Sequence, residues 1–221
     1  MSDQPFIRWD WIGDHVDEIV VRLIEHVQLT GIAVGVGLLI SVPLGIYAFR
    51  HRRSYGPITA VTGVLYTIPS LAAFAFLVPY TGLTSIFTAV IPLVAYTLLI
   101  LIRNVVAGLN GVPEDALEAA RGMGYSNSQL LWRVQIPLAL PVVIAGIRIA
   151  TVTTIGLVTV TAVVTRGGMG HFILAGYRIQ FWTQVILGAT LSVALAVAAD
   201  ALFLGAQRVL APWYRDRAQA A

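Results

Sequence analysis

Five long apolar segments constrain the fold of this chain more than any other feature of its sequence. They cover residues 29–49, 58–80, 85–108, 140–165 and 185–205. A helix needs about 20 apolar residues to cross the hydrocarbon core of a bilayer. Only helices and closed barrels satisfy their own backbone hydrogen bonds there. We therefore predict an all-α polytopic membrane protein with five transmembrane helices.

The composition agrees with this fold class and excludes several kinds of chemistry. Charged residues make up 11% of the chain and hydrophobic residues 57%, whereas soluble domains carry about 25% charged residues. The chain has no cysteine, which excludes disulfides and thiolate chemistry. Its basic residues are all arginine, and a Walker A phosphate loop requires a lysine. We therefore predict a transporter subunit without an ATPase site of its own, not an enzyme.

The arginines indicate how the chain is oriented, because cytoplasmic loops carry an excess of basic residues. Nine flank one set of span ends: Arg50, Arg52, Arg53, Arg103, Arg121, Arg133, Arg208, Arg215 and Arg217. Four lie toward the other side: Arg8, Arg22, Arg166 and Arg178. This distribution predicts an outer N-terminus and a cytoplasmic C-terminus. The basic run at 50–53 is typical of an anchor to anionic lipid, not of nucleic-acid binding.

The N-terminal segment 1–28 contains an amphipathic stretch at 10–28, which is too polar to span a membrane. We expect a separate helix on the outer membrane surface; packing against the bundle is the alternative. The transmembrane domain then covers 29–208, and 209–221 form a cytoplasmic tail.

The polar stretch between the third and fourth spans predicts two short helices. Pro113 suits a first helical position. Gly122 and Gly124 supply the stop of the first helix. Ser126 and Gln129 form a capping-box pattern that begins the second. An ordered helix–turn–helix on the cytoplasmic side is more than a linker needs.

A motif runs through this stretch. It consists of Glu118-Ala119-Ala120, three residues, Gly124, nine residues, and Val134-Gln135-Ile136-Pro137. It resembles the EAA loop of binding-protein-dependent ABC importer permeases, E-A-A-x3-G-x9-I-x-L-P, and departs from it only by Val134 and Ile136. Pro137 and Pro141 are expected to separate the second short helix from the fourth span.

The resemblance implies a coupling role for the loop at 111–137 and a type I importer fold. The coupling residues would be Glu118, Ala119, Ala120, Arg121, Gly122 and Gly124. By this resemblance the coupling helix docks on separate ABC ATPase subunits, which bind ATP and Mg, so this chain carries no cofactor. The further partners implied are a second permease chain, identical or homologous, and an extracytoplasmic substrate-binding protein.

Three further stretches narrow the resemblance. Residues 66–80, 99–124 and 136–148 are similar to permeases of osmoprotectant importers, which carry glycine betaine, carnitine and choline. A methionine-type permease of similar length is the alternative, and a stand-alone channel or secondary transporter is a second class. The sequence argues against an intramembrane enzyme, because it contains no H-E-x-x-H or G-x-S-x-G pattern.

Polar residues inside the spans are candidates for the translocation pathway. Tyr66, Thr67, Pro69 and Ser70 lie in the middle of the second span, and Tyr96 lies in the third. Proline bends a helix, and tyrosine faces suit a quaternary ammonium. A gate lined by these residues is the functional hypothesis; simple packing is the alternative.

Arg148 and Asp200 are the charged residues within the last two spans. Since a charge in a span costs about 2.5–3.5 kcal/mol, we expect the two to pair; the alternative is that each reaches water separately.

The outer segment at 166–184 begins with Arg166-Gly167-Gly168-Met169-Gly170, similar to a Gly-rich segment of osmoprotectant permeases. It is either a docking surface or an outer gate. The four histidines show no metal-site spacing, so no metal is predicted.

Overall fold

The structure is a computed structural model that describes residues 6–165 and 167–213, and it has no strand within them. The helices are α1 (Trp9–Asp14), α2 (Val16–Arg50), α3 (Arg52–Thr67), α4 (Ser70–Thr81), α5 (Ile86–Asn110), α6 (Glu114–Gly122), α7 (Asn127–Leu130), α8 (Ile136–Thr161), α9 (Gly170–Arg178) and α10 (Trp182–Leu210). A π-helical turn, Leu131–Gln135, joins α7 to α8. Four helical units are long and apolar enough to span a membrane, or five if α3 and α4 count as one span.

Helix α5 lies at the centre of the bundle and packs against α2, α3, α4 and α8, while α10 packs on α8 and α9. The largest apolar core joins α2, α4, α5 and α8 through fully buried side chains such as Leu29, Phe74, Leu93 and Val158. The prediction of an all-helical membrane bundle is therefore confirmed for the described residues.

The N-terminal segment is not a separate surface helix, and that prediction is wrong. Helix α2 continues without interruption from Val16 to Arg50, because no proline or glycine interrupts residues 16–30. Only α1 is separate, and it packs against the bundle: the Trp11 ring meets Phe172 and Phe181 edge-on. Four charged residues of the segment therefore lie on α2, in which His26 and Leu29 are buried, whereas Asp10 and Asp14 lie on α1.

The second span is broken in the middle. Helices α3 and α4 meet at an angle of 89°. Ile68 and Pro69 both have extended backbone, with ψ of 128°. Proline disfavours helical geometry in the residue before it, which ends α3 at Thr67. The predicted bend at Pro69 is therefore a complete break.

The two prolines expected to separate the hairpin from the fourth span do not do so. Residues Asn127–Thr161 form one continuous helical unit. The π-helical turn ends directly before Ile136, and Pro137 lies in the first turn of α8, where a missing N–H is tolerated. Pro141 lies one turn farther inside α8. The hairpin is thus rigidly continuous with a membrane helix.

Two sequence-based predictions lie partly outside the described residues. Arg166 is one, and the tail at 209–221 is described only as far as residue 213.

Candidate functional site

The loop between α5 and α8 folds as a helical hairpin, defined here as residues 111–135, on a small core of its own. Leu117 and Ala120 of α6 pack on Val112 and Leu130, and all four are buried. Ala120 is only 2% exposed. A larger side chain at this position would therefore separate the two short helices. Tyr125 and Val134 cover the same cluster.

Helix α6 ends in a Schellman motif. The Tyr125 N–H donates to the Ala120 carbonyl at 3.1 Å, and the Gly124 N–H donates to the Arg121 carbonyl at 2.9 Å. Gly124 has φ of +80°, a left-handed conformation that glycine adopts at little cost. Gly124 therefore supplies the stop, whereas Gly122 is the last helical residue.

Helix α7 begins with the expected capping box. The Gln129 N–H donates to Ser126 Oγ at 3.3 Å, and the Ser126 N–H donates to Gln129 Oε1 at 2.8 Å. Because both ends of the turn at 123–126 are fixed by local hydrogen bonds, the hairpin holds α6 in one orientation.

The outward face of α6 is exposed. Glu118, Ala119 and Gly122 lie on it, at the spacing that places side chains on one side of a helix. Glu118 has no ion-pair partner among residues 6–165 and 167–213. Arg121 instead pairs with Glu114 at 2.8 Å. Of the six candidate coupling residues, only Ala120 faces inward; the rest are accessible from the outside.

The broken second span brings two of the pathway candidates together. The Tyr96 hydroxyl donates to the Ile68 carbonyl at 2.6 Å, next to Pro69. The Tyr66 ring meets the Tyr96 ring edge-on at 6.0 Å. Tyr96 is buried and Tyr66 is 39% exposed. The Thr67 hydroxyl bonds back to its own helix at Val64, and Ser70 begins α4.

An apolar groove of about 490 Å³ lies beside this break. Ile68 and Tyr96 line it together with Ala72, Phe76, Ile91 and Pro92. Of the two tyrosines, Tyr96 lines the groove and Tyr66 does not; an aromatic ring at the wall of an apolar groove is a surface that a weakly hydrated cation can contact.

Arg148 and Asp200 form a two-point ion pair between α8 and α10. Arg148 Nε and Nη2 each donate to Asp200 at 2.9 Å, which is the fork geometry that Arg prefers with a carboxylate. The side chains are 26% and 41% exposed in the isolated chain. They border a groove of about 360 Å³ with Thr153 and Ile149.

The Gly-rich outer segment is held by His26, a residue that sequence reasoning had considered only as a metal ligand. His26 is fully buried. Its Nε2 lies 3.0 Å from the Ile155 carbonyl, and its Nδ1 accepts the Met169 N–H at 3.3 Å. These two bonds together assign the proton to Nε2. His26 thus joins α2, α8 and the start of α9, and we call this arrangement the His26 clamp.

Gly168 packs directly on the clamp. Its φ is +48°, and a Cβ built there would lie 2.6 Å from the His26 Cβ. Beyond it, His171 Nε2 lies 3.7 Å from Glu18. Burial and the nearby Arg22 guanidinium lower the pKa of His171, so its ring is neutral near pH 7.

Two sequence signals could have indicated the clamp. One is a histidine flanked by apolar residues at helical spacing, and the other is the glycine pair at 167–168, which marks close backbone approach. Neither signal identifies the two residues that His26 contacts, Ile155 and Met169, which lie 129 and 143 residues away along the chain. Met123 and Trp132 were also missed; both are large apolar side chains exposed on the hairpin.

The hairpin, the broken span and the helical bundle can be compared with known proteins. Residues 37–216 match the family model of the binding-protein-dependent transport system inner membrane component. This chain belongs to that family. The permease is therefore a multi-pass inner-membrane protein, as its apolar helices indicate.

Relatives and solved structures agree with this assignment. The permease is 34% identical over 195 residues to the choline transport system permease protein OpuBB of Bacillus subtilis, covering 88% of this chain and 89% of that one. It is 36% identical to the osmoprotectant import permease protein OsmW of Salmonella typhimurium, covering 90% and 94%. A subunit of the inward-facing MetNI methionine ABC transporter has the same fold, with a TM-score of 0.77, 22% identity and coverage of 87% and 95%.

Proposed function

We propose that this permease forms the translocation pathway of an ATP-driven importer of quaternary ammonium osmoprotectants such as glycine betaine, carnitine and choline. The observation that carries the coupling part is the exposed face of α6, which packs through a buried core on α7, the short helix that runs without interruption into α8. A push on this face would reach α8 through the buried contacts of Leu117 and Ala120 with Leu130, since the turn at 123–126 is itself fixed by local hydrogen bonds.

The ATPase belongs to a separate subunit in this proposal. The chain has no lysine for a Walker A loop, and its hairpin exposes the carboxylate of Glu118, which has no ion-pair partner within the part of the chain that the structure describes. Two permease chains, two ATPase subunits and an outer binding protein would form the importer. The hairpin end would be cytoplasmic and the His26 end would be outside, following the arginine distribution.

The substrate class rests on the relatives. OpuBB and OsmW are named for choline and osmoprotectant transport and share about a third of their residues with this chain. The methionine transporter shares the fold at 22% identity. The Tyr66 and Tyr96 pair at the break of the second span supports a cationic substrate, since aromatic faces attract quaternary ammonium groups.

The Arg148–Asp200 pair ties α8 to α10 within the membrane. An ion pair of this kind at a half-exposed surface requires water or protein against it. We propose that it borders the pathway or the second permease chain and holds α10 on α8 while the hairpin moves.

One reconstitution tests the function. The permease, its co-purified ATPase and its binding protein are placed in liposomes, and uptake of labelled glycine betaine, carnitine, choline and methionine is measured with and without ATP. ATP-dependent uptake of the quaternary ammonium compounds is expected. Uptake of methionine alone would support the alternative substrate, and uptake without nucleotide would indicate a channel or secondary transporter.

A charge reversal tests the coupling face. Glu118→Lys is expected to abolish retention of the ATPase on the affinity-purified permease while leaving the permease folded, because Glu118 is exposed. Asp17→Lys is the matched control: it makes the same charge change at an exposed site on α2 at the other end of the bundle. Retention of the ATPase by Glu118→Lys at the control level would contradict the coupling assignment.

A further inference from the structure

A basic cavity lies at the hairpin end of the bundle, outside every site described above. It has a volume of about 450 Å³ and lies between the end of α2, the start of α3 and the last turns of α5. Arg52 and Arg103 line it together with Tyr55 and Asn110. The other walls are apolar, among them Ala48, Phe49, Val106 and Ala107.

The two arginines have no acidic partner. Neither guanidinium group forms an ion pair or hydrogen bond with any residue in the described ranges 6–165 and 167–213. Among the described residues, the acidic side chains of the hairpin are Glu114, Asp115 and Glu118, all on α6, and Glu114 is already paired with Arg121. Two guanidinium groups that share one cavity repel each other unless an anion lies between them.

The position of the cavity indicates which kind of anion it would bind. Its apolar walls belong to membrane helices α2 and α5; Arg52 follows the end of α2, and Arg103 lies two turns before the end of α5. A ligand that fills it must carry a negative group next to an apolar body. Arginine matches phosphate oxygens in its fork geometry, and basic pockets between membrane helices on the cytoplasmic side bind anionic lipid head groups.

The start of α3 adds to the attraction. Arg52 is the first residue of this 16-residue helix, so the positive end of the helix dipole also points at the cavity. The Tyr55 hydroxyl and the Asn110 amide can donate further hydrogen bonds to phosphate or glycerol oxygens.

We propose that this cavity is a binding site for the phosphodiester head group of one anionic phospholipid, held by Arg52 and Arg103. The lipid phosphate lies between the two guanidinium groups, and the glycerol and first acyl carbons lie against Phe49 and Val106. This site differs from a diffuse attraction of the basic run at 50–53, because Arg50 and Arg53 do not line the cavity.

The test uses the whole permease–ATPase assembly in nanodiscs that contain equal parts of phosphatidylglycerol and phosphatidylcholine. After extraction into mild detergent, the lipid that remains with the protein is quantified by mass spectrometry. Wild-type protein is expected to retain phosphatidylglycerol in preference to phosphatidylcholine. Arg52→Ala/Arg103→Ala should lose this enrichment by roughly tenfold or more, and Arg53→Ala, on the same helix, should keep it.

A second variant keeps the proposal testable if the double variant fails to fold. Ala107→Trp leaves both arginines in place and fills the cavity, because Ala107 is one of its lining residues. It should lose the enrichment as the double variant does, whereas Arg52→Lys/Arg103→Lys should keep part of it.

Three results would each overturn the proposal. One is unchanged enrichment in Ala107→Trp or in the double alanine variant. Another is an equal loss in Arg53→Ala, which would show only a diffuse surface attraction. The third is protection against thermal unfolding by inorganic phosphate in pure phosphatidylcholine that equals the protection given by phosphatidylglycerol, which would make the cavity a site for free phosphate.

Discussion

The two ends of this permease each present a short helix beside a glycine with positive φ, but the two are held in opposite ways. At the hairpin, Gly124 ends α6, and all the bonds that fix the turn come from residues within five positions. At the other end, Gly168 begins the approach to α9 and is fixed by His26, which lies more than 140 residues earlier. The first region is a local structure with an exposed face; the second is a tertiary contact.

This difference suits the coupling role proposed for the hairpin. A surface that binds a partner can remain exposed if the fold beneath it is stable without that partner. The Gly-rich segment at the other end is instead held by buried contacts, which the His26 clamp supplies from α2 and α8. The predictions below separate local stability from tertiary stability, in order of expected effect.

Removal of the clamp is expected to have the largest effect. His26→Ala leaves a cavity, leaves the Met169 N–H without its acceptor and removes the side-chain donor from the Ile155 carbonyl, so the free energy of unfolding should fall by about 2–4 kcal/mol. His51→Ala is the control: His51 is exposed and should cost under about 0.5 kcal/mol. Thermal unfolding of the purified assembly in detergent measures both.

The absence of cysteine from the chain allows a local measurement of the same effect. Met169→Cys introduces a single thiol next to the clamp, at a fully buried position. Its reaction with a maleimide should be slow when His26 is present and at least severalfold faster with His26→Ala. Equal labelling rates in the two proteins would show that His26 does not hold the outer segment.

The same substitution at two glycines compares the regions directly. Gly168→Ala combines left-handed backbone with a clash against His26, and should cost about 2–4 kcal/mol. Gly124→Ala has the same backbone problem but no neighbour within 4 Å, and should cost only about 1–2 kcal/mol. Melting temperatures of the two variants measure the difference. Equal destabilisation would mean that the clash with His26 costs nothing beyond the backbone strain that both variants share.

Loss of the capping box should have a smaller effect. Ser126→Ala removes the acceptor for the Gln129 N–H and should cost about 1 kcal/mol. Ser128→Ala is the matched control, because this exposed serine lies two residues farther on, in the first turn of α7, and its side chain has no hydrogen-bond partner among the described residues. The ratio of proteolytic cleavage rates within 111–135 reports local opening. Similar cleavage of the two variants would contradict a capping role for Ser126.

The same contrast explains what the sequence could predict. The hairpin was predictable because Pro113, Gly124 and the Ser126–Gln129 pair act within a few residues of themselves. The Arg148–Asp200 contact could be expected, because an unpaired charge within a membrane span costs free energy that an ion pair reduces. The continuity of α2 follows from the absence of proline and glycine from residues 16–30, although the polarity of this segment favoured a separate helix. The His26 clamp could not be predicted, since it depends on packing between segments far apart in the chain.

Gly122→Ala is expected to have the smallest effect on stability and a clear effect on partner binding. No atom lies within 4 Å of a Cβ built at Gly122, and alanine is the better helix former, so unfolding should be unchanged or harder by up to about 1 kcal/mol. Gly122 shares the exposed face of Glu118 and Ala119, where a close-fitting partner has no room for an added methyl. Retention of the ATPase should therefore fall although the permease is no less stable. If retention is unchanged, the partner does not approach this face closely, and the face's small residues need another explanation.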